Sequence, residues 1–94
     1  MTIPDILRIE VTQEDIDGGM RRSCGGCPIA LAVRRALGPS HAAYVSAGAI
    51  DVFAGPPQKH LASYDLPNAA YTFVLDFDNR LYVQPFRFTA RRIA

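Results

Sequence analysis

The sequence predicts an α+β fold: one small domain with a mixed or antiparallel sheet of about four strands, packed by two main helices in the order β-α-α-β-β-α-β. Three patterns carry this expectation. Leu7, Ile9 and Val11 alternate with Arg8, Glu10 and Thr12, the period of a strand with one buried face. Ile29, Ala32, Val33, Ala36 and Leu37 fall on one helical face, with Arg34 and Arg35 off it. Ala70, Phe73, Val74 and Phe77 form a second helical stripe.

After the first strand, Thr12 and Asp15 have the spacing of a capping box, Glu14-Asp15 suits a helix's first turn, and Gly18-Gly19 stops it, so about one turn is expected. Met20 to Ser23 then link to Cys24-Gly25-Gly26-Cys27-Pro28. Pro28 suits the first turn of a helix, which places Cys27 near the N-cap, where the helix dipole favours a thiolate. Gly38-Pro39 ends that helix. Ala43 to Ala47 and Ala49 to Phe53 read as two short strands in a hairpin around Gly48. Residues 55–63, with Pro56-Pro57, are expected to form a mobile loop. Asp65-Leu66-Pro67 opens the second main helix and Asp78-Asn79 closes it. The last strand is expected from Leu81 to about Thr89. Its alternation changes phase at Gln84-Pro85, predicting a bulge or an edge position, because proline cannot donate to a ladder.

Ninety-four residues suit a single domain over 1–94, with an ordered core expected at 5–90. Hydrophobic residues make up 49% and charged residues 20%, enough to pack a core and too apolar for a disordered chain. Ten Lys plus Arg against nine Asp plus Glu leave a formal charge of +1, which argues against wholesale binding to nucleic acid or an anionic membrane. Lys59 is the only lysine, and arginines pair as Arg21-Arg22, Arg34-Arg35 and Arg91-Arg92. The apolar runs are too short to span a bilayer, and Met1 to Glu10 lacks the pattern of a signal peptide. A cytoplasmic location is therefore expected.

The order of motifs adds a second kind of information. Val11-Thr12, Asp15-Ile16 and Gly18 are followed by Cys24, then Cys27-Pro28-Ile29-Ala30-Leu31-Ala32. Tyr64, Leu66-Pro67, Ala70, Phe73 and Phe77-Asp78 follow, and then Val83, Pro85-Phe86 and Phe88. This combination, spread from Leu7 to Phe88, resembles a group of short uncharacterised proteins of actinobacterial phages and prophages. The resemblance implies a phage accessory protein in the host cytoplasm, and it assigns no catalytic residue.

The chain's two cysteines lie in the Cys24–Cys27 motif. Such a pair supplies half of a tetrahedral zinc shell, with His41 and His60 as the remaining candidates, although their spacing matches no standard finger. A Cys-x-x-Cys before a helix also suits a thiol redox couple. A third reading uses the backbone: Gly25 and Gly26 aim N–H groups at an anion, and Arg21 and Arg22 add charge, without the Lys-Ser/Thr of a P-loop. No nucleophile, base and orienter can be assembled around Ser23, Ser40, Ser46 or Ser63, and neither histidine has a recognisable partner.

By elimination, the expected function is non-enzymatic and needs no cofactor: binding a host protein or a second copy of the chain. An exposed sheet edge offers strand pairing as one route. Phe86 and Phe88 are expected in the core, which disfavours a stacking platform for nucleic acid. Tyr82, Arg87, Arg91 and Arg92 remain as the partner surface, with Tyr44 and Phe53 as further anchors if they lie outside the core.

Overall fold

The computed structural model describes residues 3–94, so Met1 and Thr2 of the expected 1–94 domain lie outside the described residues. The elements are β1 (Ile6–Val11), α1 (Gln13–Gly18), α2 (Pro28–Leu37), β2 (His41–Val45), β3 (Ala49–Ala54), β4 (Lys59–Asp65), α3 (Asn68–Asp78) and β5 (Phe86–Arg91). The α+β class and the predicted succession of elements are present, with β4 as an additional strand.

The strands form two antiparallel sheets rather than one of four strands. One pairs β1 with β5, and the other has the order β2-β3-β4. They meet at a bridge between Tyr64 and Arg92. Nearby, Ser63 donates its N–H to Ala94 O at 3.1 Å and accepts one from Ile93 at 2.8 Å. The last residues, beyond the expected 5–90 core, thus tie β4 to the end of β5.

Each sheet turns one face inward because its strands alternate. Leu7, Ile9 and Val11 of β1 lie opposite Ala90, Phe88 and Phe86 of β5. Ala43, Val45, Ile50, Val52, Ala62 and Tyr64 are buried from the second sheet. The helices contribute Cys27, Ile29, Ala30, Ala32 and Val33 from the α2 segment, and Ala70, Phe73 and Phe77 from α3, to the same cluster. Ala36, expected on the apolar face of α2, is exposed, while Ala30 takes a fully buried place. The stripe is rotated by part of a turn because α2 packs against α1, β1 and β2 together.

The predicted capping box is formed. Asp15 N–H donates to Thr12 Oγ1 at 3.2 Å, and Thr12 N–H donates to Asp15 Oδ2 at 2.9 Å. At the C-terminal end of α2, Gly38 adopts φ +111°, a region that a side chain disfavours, and returns its N–H to Arg34 O at 2.8 Å. The flanks of α2 also occupy the outer edge of β2. Val45 N–H donates to Cys24 O at 2.8 Å and His41 N–H to Gly38 O at 3.2 Å. The outer edge of β2 is therefore engaged at both of its ends, a common protection of edge strands.

Two expectations about chain segments are corrected. The mobile loop at 55–63 narrows to a turn, since Lys59 onward is β4, paired with β3 through a register shift at Val52/Phe53. The prolines and polar residues masked a strand whose alternation becomes visible only at Ala62 and Tyr64. The last strand starts at Phe86 rather than Leu81. Leu81 and Tyr82 are 58% and 86% exposed, so the apparent alternation before Pro85 has no sheet to bury it.

Candidate functional site

The Cys24–Cys27 segment is a closed turn. Cys27 N–H donates to Ser23 O at 3.1 Å, Gly26 N–H to Ser23 Oγ at 3.0 Å, and Met20 N–H to Gly26 O at 2.7 Å. Cys27 is the N-cap of α2, as predicted, and its Sγ accepts the N–H of Ala30 at 3.4 Å. It is 3% exposed, and burial pushes its thiol up, which outweighs the lowering by the Ala30 and Ile29 amides. The thiolate expected from the helix dipole is thus replaced by a neutral thiol. Cys24 is exposed, and both cysteines are free. They line a cleft of about 190 Å³ with Arg22, Ser23, Val45, Val74 and Asp78.

This geometry takes the Gly26 N–H out of the anion reading. The Gly26, Cys27 and Ala30 N–H groups are spent on Ser23 and Cys27, and Pro28 has none. Gly25 has a packing reason instead, since a Cβ there would stand 3.0 Å from the ring of Tyr44. Arg21 and Arg22 turn to the far end of α3. Arg21 Nε donates to Phe77 O at 3.2 Å with its guanidinium 5.3 Å from the Phe77 ring centre, and Arg22 N–H donates to Asp78 Oδ1 at 2.9 Å. The Arg21 cation is well placed against the dipole at the C-terminus of α3, while Arg22 contributes its main-chain N–H there rather than its charge.

The metal quartet is not assembled either. Cys24 is bonded to Val45 at one end of β2, and His41 starts the other. His60 lies opposite Phe53, on the outer side of the second sheet. Among the described residues, no group of three or more His, Cys, Asp or Glu side chains could hold one metal ion. His60 does have partners, contrary to expectation. Its Nε2 is 2.9 Å from Ser63 Oγ, and Ser63 donates its hydroxyl to Asp51. The serine proton thus points at the carboxylate and the imidazole donates to the serine, so no imidazole base is set to activate Ser63. Beside this cluster the rings of Tyr44, Phe53 and His60 meet edge to face at 5.5 and 5.2 Å, and Gln58 donates to Tyr44 OH at 3.1 Å.

The outward face of β1 and β5 has another character. The register sets Glu10 opposite Arg87, Arg8 opposite Thr89 and Ile6 opposite Arg91, all exposed. Arg87 pairs with Glu10 at 2.8 Å, across a shallow hollow of about 400 Å³ lined by Arg8, Ile9, Glu10, Arg87, Phe88 and Thr89. Phe88 is buried from the inner side, while Phe86 is only half-buried, its ring tilted against that of Phe73 with the centroids 4.8 Å apart. Arg92 departs from the expected surface: half-buried, it donates to Ala94 O at 3.1 Å and to Leu61 O at 3.4 Å, bracing the junction of the sheets. Tyr82 is exposed in the loop before β5, so Tyr82, Arg87 and Arg91 are outward as predicted.

Two residues were missed. Arg8 joins the basic face, and its alternation with Leu7 and Ile9 was the available signal. Arg35, expected only to lie off the apolar face of α2, donates to Asp15 Oδ1 at 2.5 Å and to Glu10 O at 2.8 Å. Burial alone would raise the Asp15 pKa, but the bonds from Arg35 and Thr12 prevail and hold it below the usual aspartate value. Nothing in the linear spacing of Asp15 and Arg35 signals that pair. Comparisons with protein-family models, curated proteins and solved structures give no match for this chain.

Proposed function

We propose that this chain is a small non-enzymatic binding module that docks an acidic surface of another protein on the outward face of β1 and β5. In the phage setting that the sequence resemblance implies, that partner is a host protein, met in the host cytoplasm. The observation that carries the reading is the charge of this face: Arg8, Arg87 and Arg91 against Glu10 alone, all exposed. A second copy docked face to face would bring arginines onto arginines, so charge complementarity favours a different protein. Nucleic acid fits less well, because Phe86 and Phe88 turn toward the core side of the sheet and leave the arginines no aromatic stacking partner. No helix among the described residues is long and apolar enough to cross a membrane.

The test compares the wild-type chain with the variant Arg87→Glu/Arg91→Glu as bait in a nuclease-treated bacterial lysate. A specific protein retained by the wild type should be lost by the variant and released by salt, while the thermal midpoint barely moves. Capture that survives charge reversal, or that vanishes with nuclease in the wild type, rejects this reading. Capture lost only in Cys24→Ser would move the active surface to the Ser23–Cys27 turn.

A further inference from the structure

The docking face leaves the two thiols without a role. Cys24 and Cys27 stand at the ends of a four-residue stretch inside the turn closed by Cys27 N–H and Ser23 O. Residues three apart in a turn have Cα atoms within about 7 Å, the upper end of what a disulfide spans. Gly25 and Gly26 place no side chain between the sulfurs. Both cysteines border the same cleft of about 190 Å³, and only Cys24 is exposed to a reagent entering from solvent. Arg22 and Asp78 border the same cleft, so charged groups of both signs stand at its mouth.

We propose that Cys24 and Cys27 form a reversible dithiol–disulfide pair, in which Cys24 attacks a small-molecule disulfide and Cys27 resolves the adduct. In the first step Cys24 gives its proton to solvent and its sulfur forms a bond to one sulfur of R–S–S–R, and one R–S⁻ leaves. In the second, Cys27 gives its proton to solvent and attacks the Cys24 sulfur, and the second R–S⁻ departs. Two protein thiols lose two electrons and two protons, and the external disulfide gains them as two thiols. The order of attack follows from access. Burial and the Ala30 N–H hold Cys27 as a packed, capped thiol until Cys24 carries the adduct beside it. Closing the bond also alters the sulfur that caps Ala30, so the first turn of α2 senses the redox state.

The experiment treats the reduced full chain with excess oxidised glutathione and follows intact mass and free thiols. The wild type should lose both thiols, retain no glutathione, remain monomeric and return to the dithiol with dithiothreitol. Cys27→Ser should stop at a stable adduct carrying one glutathione, and Cys24→Ser should react about tenfold slower or more, because its remaining thiol is buried. A wild-type chain that stops at a stable adduct, joins into covalent dimers or does not react overturns the proposal. So does a Cys24→Ser variant that reacts as fast as the wild type with an unchanged thermal midpoint. If Cys27→Ser does not fold, the wild-type product and the Cys24→Ser rate decide the matter alone.

Discussion

The two sheets treat their outer faces differently. On β2-β3-β4 the outward side chains are bound to one another: Tyr44, Phe53 and His60 as touching rings, and Asp51, Ser63 and His60 as a hydrogen-bonded chain. On β1–β5 one exposed ion pair, Arg87 with Glu10, is surrounded by Arg8, Thr89 and Arg91 facing solvent. Side chains that satisfy each other support the sheet they stand on. Side chains left to water contribute little to stability and remain free for a partner, and this is why the basic face, rather than the more elaborate aromatic one, carries the proposed docking.

The comparison breaks most severely from beneath. Phe73 is 7% exposed and packs on Phe77 and Phe86. Phe73→Ala should cost about 3–5 kcal/mol in a denaturant titration, through lost transfer energy and a cavity. A midpoint unchanged within error would contradict this packing.

Arg35 comes next, because its removal strands the Asp15 carboxylate, whose side chain is 6% exposed. Arg35→Ala should cost about 1–3 kcal/mol at neutral pH, the price of an unsatisfied buried acceptor. The Asp15 pKa is lowered in the fold, so its contribution is complete above the unfolded value of about 3.9 and fades as pH falls through the lower folded value. Wild type and Arg35→Ala should therefore converge in stability in strong acid. A gap that stays constant from neutral pH to about pH 2 would show that Arg35 acts through packing alone.

Tyr64 sharpens the picture at the junction. It is fully buried and donates its hydroxyl to Pro4 O just ahead of β1, and burial raises its pKa. Tyr64→Phe keeps the ring and should cost about 0.5–1.5 kcal/mol. The outer faces themselves give the smallest effects. Ser63→Ala should lose up to about 1 kcal/mol by uncoupling Asp51 from His60, whereas Arg8→Ala and Arg91→Ala should each stay within about 0.5 kcal/mol of the wild type in thermal melts. Equal losses on both faces would erase the distinction from which the docking surface is argued.

Much of this molecule is written in local pattern. The alternation of Leu7, Ile9 and Val11, the Thr12–Asp15 capping box, the Cys27 cap with Pro28 behind it, and the Phe73–Phe77 stripe each depend on residues within a few positions, where backbone geometry dictates which side chains meet. The α+β class follows from them. Tertiary structure alone decided which distant groups are partners. It placed β4 against β3 although prolines precede it, sent Arg35 to Asp15 and Arg92 to the junction of the sheets, and spent the amides near Gly26 on Ser23. The same packing set His41 and the cysteines at opposite ends of β2, and it faced Arg8, Arg87 and Arg91 together. Register and docking bring together residues tens of positions apart, and no local propensity encodes them, because their free energy exists only once both segments are in place.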